Sequence, residues 1–257
     1  AEEAQPPQPP TMEPTAEPTS VPTVEITHVD VPAAASGKES TIHDHLSSDS
    51  ARNKEAYAGD DYFNDRFERP FSREMDYLPW LDIVDAKLLR QEPFFYFSLV
   101  LQQRDFPGDG ETPVYGFEID TDIDGRGDVL VQTLLPPDDS WGQAGVTVWE
   151  DANKDVGGET PIFSDKAFGG GDGYERLLFE EGVGDDPDLA WSRLNPDDPK
   201  RVDIALHSTH FPPNVIFLWG GFADGFAGGP ESFDLNDRFS PEEAGSAMKS
   251  SEFYPLK

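Results

Sequence analysis

Cysteine is absent from all 257 residues, which excludes disulfides, thiolate-bound metals, iron–sulfur clusters and cysteine nucleophiles. No apolar run approaches the roughly 18 residues of a membrane-crossing helix. Positive charge is scarce: 19 Lys and Arg stand against 51 Asp and Glu, a formal net charge of −32. Such a chain lacks the basic footprint that nucleic acid or an anionic lipid surface requires, and cations are its natural partners. The same acidity would also serve solubility or a salty habitat. Catalytic signatures are missing as well. There is no Gly-x-Ser-x-Gly elbow, and the glycine-rich Phe168-Gly-Gly-Gly-Asp-Gly173 lacks the Lys-Ser/Thr ending of a phosphate loop. Of five histidines, only His43-Asp-His45 and His207-Ser-Thr-His210 bring two close together, without a third ligand for zinc or copper.

What is present is apolar enough to fold: 36% hydrophobic and 12% aromatic residues support one buried core. Residues 1–23, with Pro6-Pro7-Gln8-Pro9-Pro10 and repeated Glu-Pro-Thr steps, predict a disordered, extended stalk. Residues 24–75 predict an arm packing on the core, with a strand over Val24–Val31 and a short helix over Ser50–Tyr57. From residue 76 to 257 strand signals become regular. Eight are expected: Leu81–Leu89, Phe94–Leu101, Val114–Ile119, Val129–Thr133, Val146–Trp149, Arg176–Phe179, Val202–His207 and Val215–Phe222. No helical crossovers separate them, so the expected fold is all-β: an antiparallel, jelly-roll-like β-sandwich of about eight or more strands with a few short helices. One of those helices is expected at Ser240-Pro-Glu-Glu-Ala-Gly245, where a serine cap precedes proline and a glycine stop follows.

Two acidic loops carry the chemistry. Asp120, Asp122, Asp124 and Asp128 occupy positions 1, 3, 5 and 9 of one loop; Asp151, Asn153, Asp155 and Glu159 repeat that spacing in the next. Arg126 and Gly157, at position 7, would each offer a backbone carbonyl. A hard cation taking 6 to 8 oxygens needs this density of ligands, and glycines let the backbone curl around it. Ca²⁺ is the expected cofactor. Position 12, a bidentate Glu in an EF-hand, is Val131 in one loop and Ile162 in the other, and the flanks are strand-like, so β-hairpin calcium loops are expected instead. Solvated Asp-Gly turns would show the same composition. Arg126-Gly-Asp128 also spells an adhesion tripeptide, but the ion loop already uses those residues. The acidic run Asp185-Asp-Pro-Asp188 lacks this spacing and is expected to be a solvated loop. Trp149 and Trp219 fall within strand patterns and are expected in the core, whereas Trp141, on a predicted loop, is a candidate for stacking on a sugar ring.

Tyr77-Leu-Pro-Trp-Leu-Asp-Ile-Val-Asp-Ala-Lys87 and Tyr115-Gly-Phe-Glu-Ile-Asp-Thr-Asp-Ile-Asp-Gly125 resemble a pattern in exported bacterial β-sandwich domains, among them family-nine carbohydrate-binding modules and DOMON-like domains. With Asp172-Gly-Tyr-Glu175, Asp188-Leu-Ala-Trp191 and Asp234-Leu-Asn-Asp-Arg-Phe239, the chain is similar to an uncharacterised family of secreted bacterial proteins. That resemblance implies structural calcium and a glycan-binding face. The expectation is therefore a non-enzymatic, exported or cell-surface, calcium-binding sandwich whose partner is an extracellular glycan or a cell-surface protein. A surface-layer or filament component and a secreted hydrolase are the alternatives.

Overall fold

A computed structural model describes residues 30–44, 46–48, 52, 60–61, 66–68, 70, 76–105, 108, 112–156 and 173–225. Its strands, in chain order, are β1 (Ser40–His43), β2 (Asp60–Asp61), β3 (Arg66–Glu68), β4 (Ile83–Gln91), β5 (Phe94–Leu101), β6 (Val114–Asp120), β7 (Val129–Leu134), β8 (Val146–Glu150), β9 (Arg176–Glu180), β10 (Ala190–Leu194), β11 (Arg201–His207) and β12 (Leu218–Asp224). They form two sheets, one ordered β1-β4-β5-β11-β10 and the other β2-β3-β12-β6-β7-β8-β9. Every pairing is antiparallel except that of β3 with β12.

The sandwich follows from period-two burial. Phe95, Phe97 and Leu99 point inward from β5, and Tyr115, Phe117 and Ile119 point inward from β6, so the two sheets share one apolar layer. Ring contacts cross it: Phe97 meets Phe117 at 4.9 Å between centroids, and Trp219 touches both. Trp219 thus packs on the core as its pattern suggested. Trp149 instead joins Leu130, Tyr174 and Phe222 on the outer face of the larger sheet. That face needs Gly116: a Cβ there would lie 2.4 Å from the Val131 carbonyl oxygen and 2.5 Å from the Phe222 ring.

Some expected boundaries shift for local reasons. The strand expected from Val215 begins at Leu218, because the Val215 N–H is taken by the Pro212 carbonyl in a turn. The strand expected from Leu81 begins at Ile83, because Leu81 closes a turn onto Leu78. Strand β10 was hidden beside the acidic run, yet Ala190, Ser192 and Leu194 alternate inward. The arm contributes to both sheets, β1 extending one and β2–β3 the other. Residues 1–29, the helix expected over 50–57 apart from Arg52, and the helix expected over 240–245 lie outside the described residues. The remaining part of the first expected strand, Asp30 and Val31, is not in a strand. A 3-10 turn, Ser208–His210, follows β11.

Candidate metal loops

Residues 121–128 join β6 to β7, and the second acidic loop leaves β8 at Asp151. Because β7 lies between β6 and β8, both loops emerge at the same end of the larger sheet. They are linked directly: the Asp151 N–H donates to the Asp128 carbonyl at 3.0 Å, and Arg126 Nη1 donates to the Val156 carbonyl at 3.0 Å.

Each loop repeats one local geometry. Asp120 accepts the N–H groups of Ile123 at 2.6 Å and Gly125 at 2.9 Å, three and five positions on. Asp151 accepts those of Lys154 at 2.6 Å and Val156 at 3.0 Å, at the same offsets. The residue at the third step is left-handed in both, Ile123 at φ 62° and Lys154 at φ 63°, although neither is glycine. The carboxylate at the head of each loop thus holds a tight curl that would otherwise be unfavourable. Gly127 is required beneath the first loop, since a Cβ would fall 2.0 Å from the Tyr174 hydroxyl, which donates to buried Glu118 at 2.7 Å.

The curl gathers oxygens. One carboxylate oxygen each from Asp120, Asp122 and Asp124 lie within 4.8 Å of one another, as do those of Asp151, Asp155 and Glu175. Ligands at 2.3–2.6 Å from a common Ca²⁺ are at most about 5 Å apart, so both clusters fit one hard cation, and all-oxygen donors select calcium or magnesium over softer metals. Burial pushes the Asp120 carboxyl above its ordinary value, and nearby Asp128 and Asp124 add to the rise; a cation would relieve the repulsion. Lys154 reaches from the second loop to Asp122 at 2.7 Å and stands 3.9 Å from Asp128. Its hydrogen bond and charge hold the Asp122 carboxyl below the usual range.

The expected ligand sets are redistributed. Asp128 accepts both the backbone N–H and the hydroxyl of Thr121 and lies outside the three-carboxylate cluster. The exposed Asn153 gives its N–H to Asp151 at 3.2 Å. Gly157 and Glu159 lie outside the described residues. The carboxylate the structure does bring to the second loop is Glu175, just before β9, which sequence spacing missed because it arrives from the far end of a long connection. The acidic run at 185–188 is not simply solvated. Asp186 and Asp188 are buried, and Asp188 accepts the Asp30 N–H at 2.6 Å.

Trp141 lies on the outer face of the smaller sheet with Tyr96, Trp191 and Leu89. The Arg193 guanidinium sits 4.3 Å over its ring, so that face of the indole already carries a cation. A hydroxyl–imidazole–carboxylate chain also occurs, with Thr209 Oγ1 at 2.6 Å from His207 Nδ1 and Asp30 at 3.4 Å from Nε2. Here Nδ1 also faces the Thr209 N–H and the ring is buried edge-on to Phe94, so the chain caps the 3-10 turn. No protein-family model, curated protein or solved structure matches the chain.

Proposed function

We propose that this chain is an exported, calcium-stabilised β-sandwich that acts by binding, without catalysis, at the cell exterior. The observation that carries the reading is the repeated loop geometry: two adjacent hairpin ends each hold an Asp-headed curl that assembles three carboxylates at the spacing of one hard cation. In a chain without cysteine, two such ions would tie β6–β7 to β8–β9 in place of covalent staples. Weak sites of this kind suit the calcium-rich exterior, where dissociation constants of about 0.1–1 mM suffice. The resemblance to secreted sandwich proteins supports the same setting.

The test is thermal unfolding with and without calcium. At about ten times the dissociation constant each site contributes about 1.4 kcal/mol, so chelation should lower the melting temperature by several degrees. Lys154→Met should tighten calcium binding at the first loop, because it removes the ammonium that occupies Asp122. An identical melting curve in calcium and in chelator, with no calcium detected by titration calorimetry, would sink the reading.

A further inference from the structure

The sandwich stays open where the outermost strands of its two sheets part. Strand β9 ends the larger sheet and β10 ends the smaller, and the chain crosses from one to the other through residues 181–189. It first turns tightly, the Glu180 and Val183 backbones bonding to each other at 3.3 and 2.8 Å. It then runs back along β9. Gly184 permits this close return: its φ is 104°, and a Cβ there would lie 2.3 Å from the Leu178 carbonyl oxygen. Asp185 and Asp186 follow it. On the other side the Leu189 carbonyl accepts the His207 N–H at 2.7 Å, which brings the 3-10 turn at 208–210 alongside. Between β9, this crossing and the turn lies a cavity of about 680 Å³, well within the range of small-molecule sites.

Its lining divides by chemistry. Leu177, Leu178 and Leu189 give an apolar wall, and Asp185, Asp186 and His210 are the polar groups beside it. Asp186 is 8% exposed and is held by the Asp188 N–H at 3.2 Å. Asp185 is exposed and, among the described residues, makes no hydrogen bond or ion pair. The His210 ring stands edge-on to Phe211, and neither of its nitrogens is hydrogen-bonded among the described residues. Desolvation holds its imidazole below the ordinary value; Asp186 opposes that fall and Arg176 adds to it. At neutral pH the ring is therefore uncharged and keeps one nitrogen as an acceptor. The donors of the lining are already engaged. Arg176 is paired with Glu150, and the Thr209 hydroxyl faces His207 Nδ1 at 2.6 Å.

We infer that this cleft is a binding site for an organic cation, an alkylammonium group carried on a hydrocarbon body. An ammonium has three donors and no acceptor, which matches a lining whose open polar groups are two carboxylates and an imidazole nitrogen. The hydrocarbon packs on the leucine wall and gains by leaving water. An organic anion would meet the two carboxylates with the lining guanidinium already taken, in a chain of net charge −32. A bare metal ion would leave the leucine wall unused, and neither Asp185 nor Asp186 belongs to the three-carboxylate clusters found among the described residues. The inference goes beyond the calcium reading and does not rest on it.

The test is a ligand-observed NMR titration of the full chain in saturating calcium, which competes amines away from the two acidic loops. The probes are hexylammonium, ethylammonium, hexanol and hexanoate. Hexylammonium is expected to bind more tightly than hexanol, and roughly tenfold or more tighter than ethylammonium, because four further methylenes meet the wall; hexanoate should not bind. Asp185→Asn should weaken hexylammonium about threefold while leaving the melting temperature unchanged, because that carboxylate has no partner to lose. Asp139→Asn removes the same charge from an exposed position outside the cavity lining and should leave binding as in wild type. Equal affinity for hexanol and hexylammonium, or equal affinity for hexylammonium and ethylammonium, would overturn the inference. So would equal binding by the two variants, which would mean attraction to the acidic surface at large. None of these outcomes bears on the calcium reading, which the melting curves decide.

Discussion

Asp120→Ala and Asp151→Ala are each expected to lower the unfolding free energy by about 2–4 kcal/mol even in chelator, because the first strands two backbone N–H groups and the second three, at nearly buried positions. Asp120 is 6% exposed and Asp151 5%, so water cannot replace the lost acceptors cheaply. The left-handed residue in each loop, Ile123 or Lys154, loses its restraint at the same time. Asp122→Ala should behave differently. Asp122 is exposed and its partner is the exposed Lys154, a pair of the kind that contributes little to stability. Without calcium this variant should unfold within about 0.5 kcal/mol of wild type, yet lose the calcium-dependent stabilisation of the first loop. Urea unfolding of the three variants, with and without calcium, separates the carboxylates that build the loop from those that face the ion. If Asp120→Ala proves neutral in chelator, the Asp-headed curl is not what holds the loop.

Glu68→Ala should cost about 3–5 kcal/mol, and Glu68→Gln should cost nothing near neutral pH. Glu68 is fully buried at the end of β3; it accepts the Ile83 N–H and the Ser47 hydroxyl, 3.1 Å away. Burial raises its pKa well above the usual carboxylate range, and the charges of Asp44 and Asp82 raise it further. Folding therefore favours the protonated form. The stability this group contributes is complete below its unfolded pKa, near 4.5, and is lost as pH rises through the higher folded value. Gln supplies the same acceptor to Ile83 and donates to Ser47 at every pH. Its advantage over wild type should be absent near pH 4 and grow as pH rises, in paired unfolding titrations. A difference between the two proteins that does not vary with pH would show that Glu68 titrates normally.

Glu68 and its neighbour Asp82 also show what the residue pattern did not convey. Asp82 accepts the N–H groups of Ser47 at 3.1 Å and Ser48 at 3.2 Å together with the Tyr77 hydroxyl, so buried acids fasten the arm to the sandwich. In the sequence they are merely two of 51 acidic residues. Glu175 was illegible as a loop ligand for the same reason. A polar row across the smaller sheet was illegible for another: Lys87, Ser98, Asp203 and Arg193 lie on four strands and meet only through register.

By itself the sequence determined that the fold is all-β, where most strands run, and that positions 120–128 and 151–155 lie in acidic loops. Period-two patterning and 1-3-5 ligand spacing are local, carried by residues within one turn or strand of each other. Only the tertiary structure decided that the two loops are neighbours, that Lys154 of one sits on Asp122 of the other, that Glu175 completes the second cluster, and that Lys87, Ser98, Asp203 and Arg193 line up across the smaller sheet. Each of those depends on which strands pair and in what register, and register is set by the whole buried face at once.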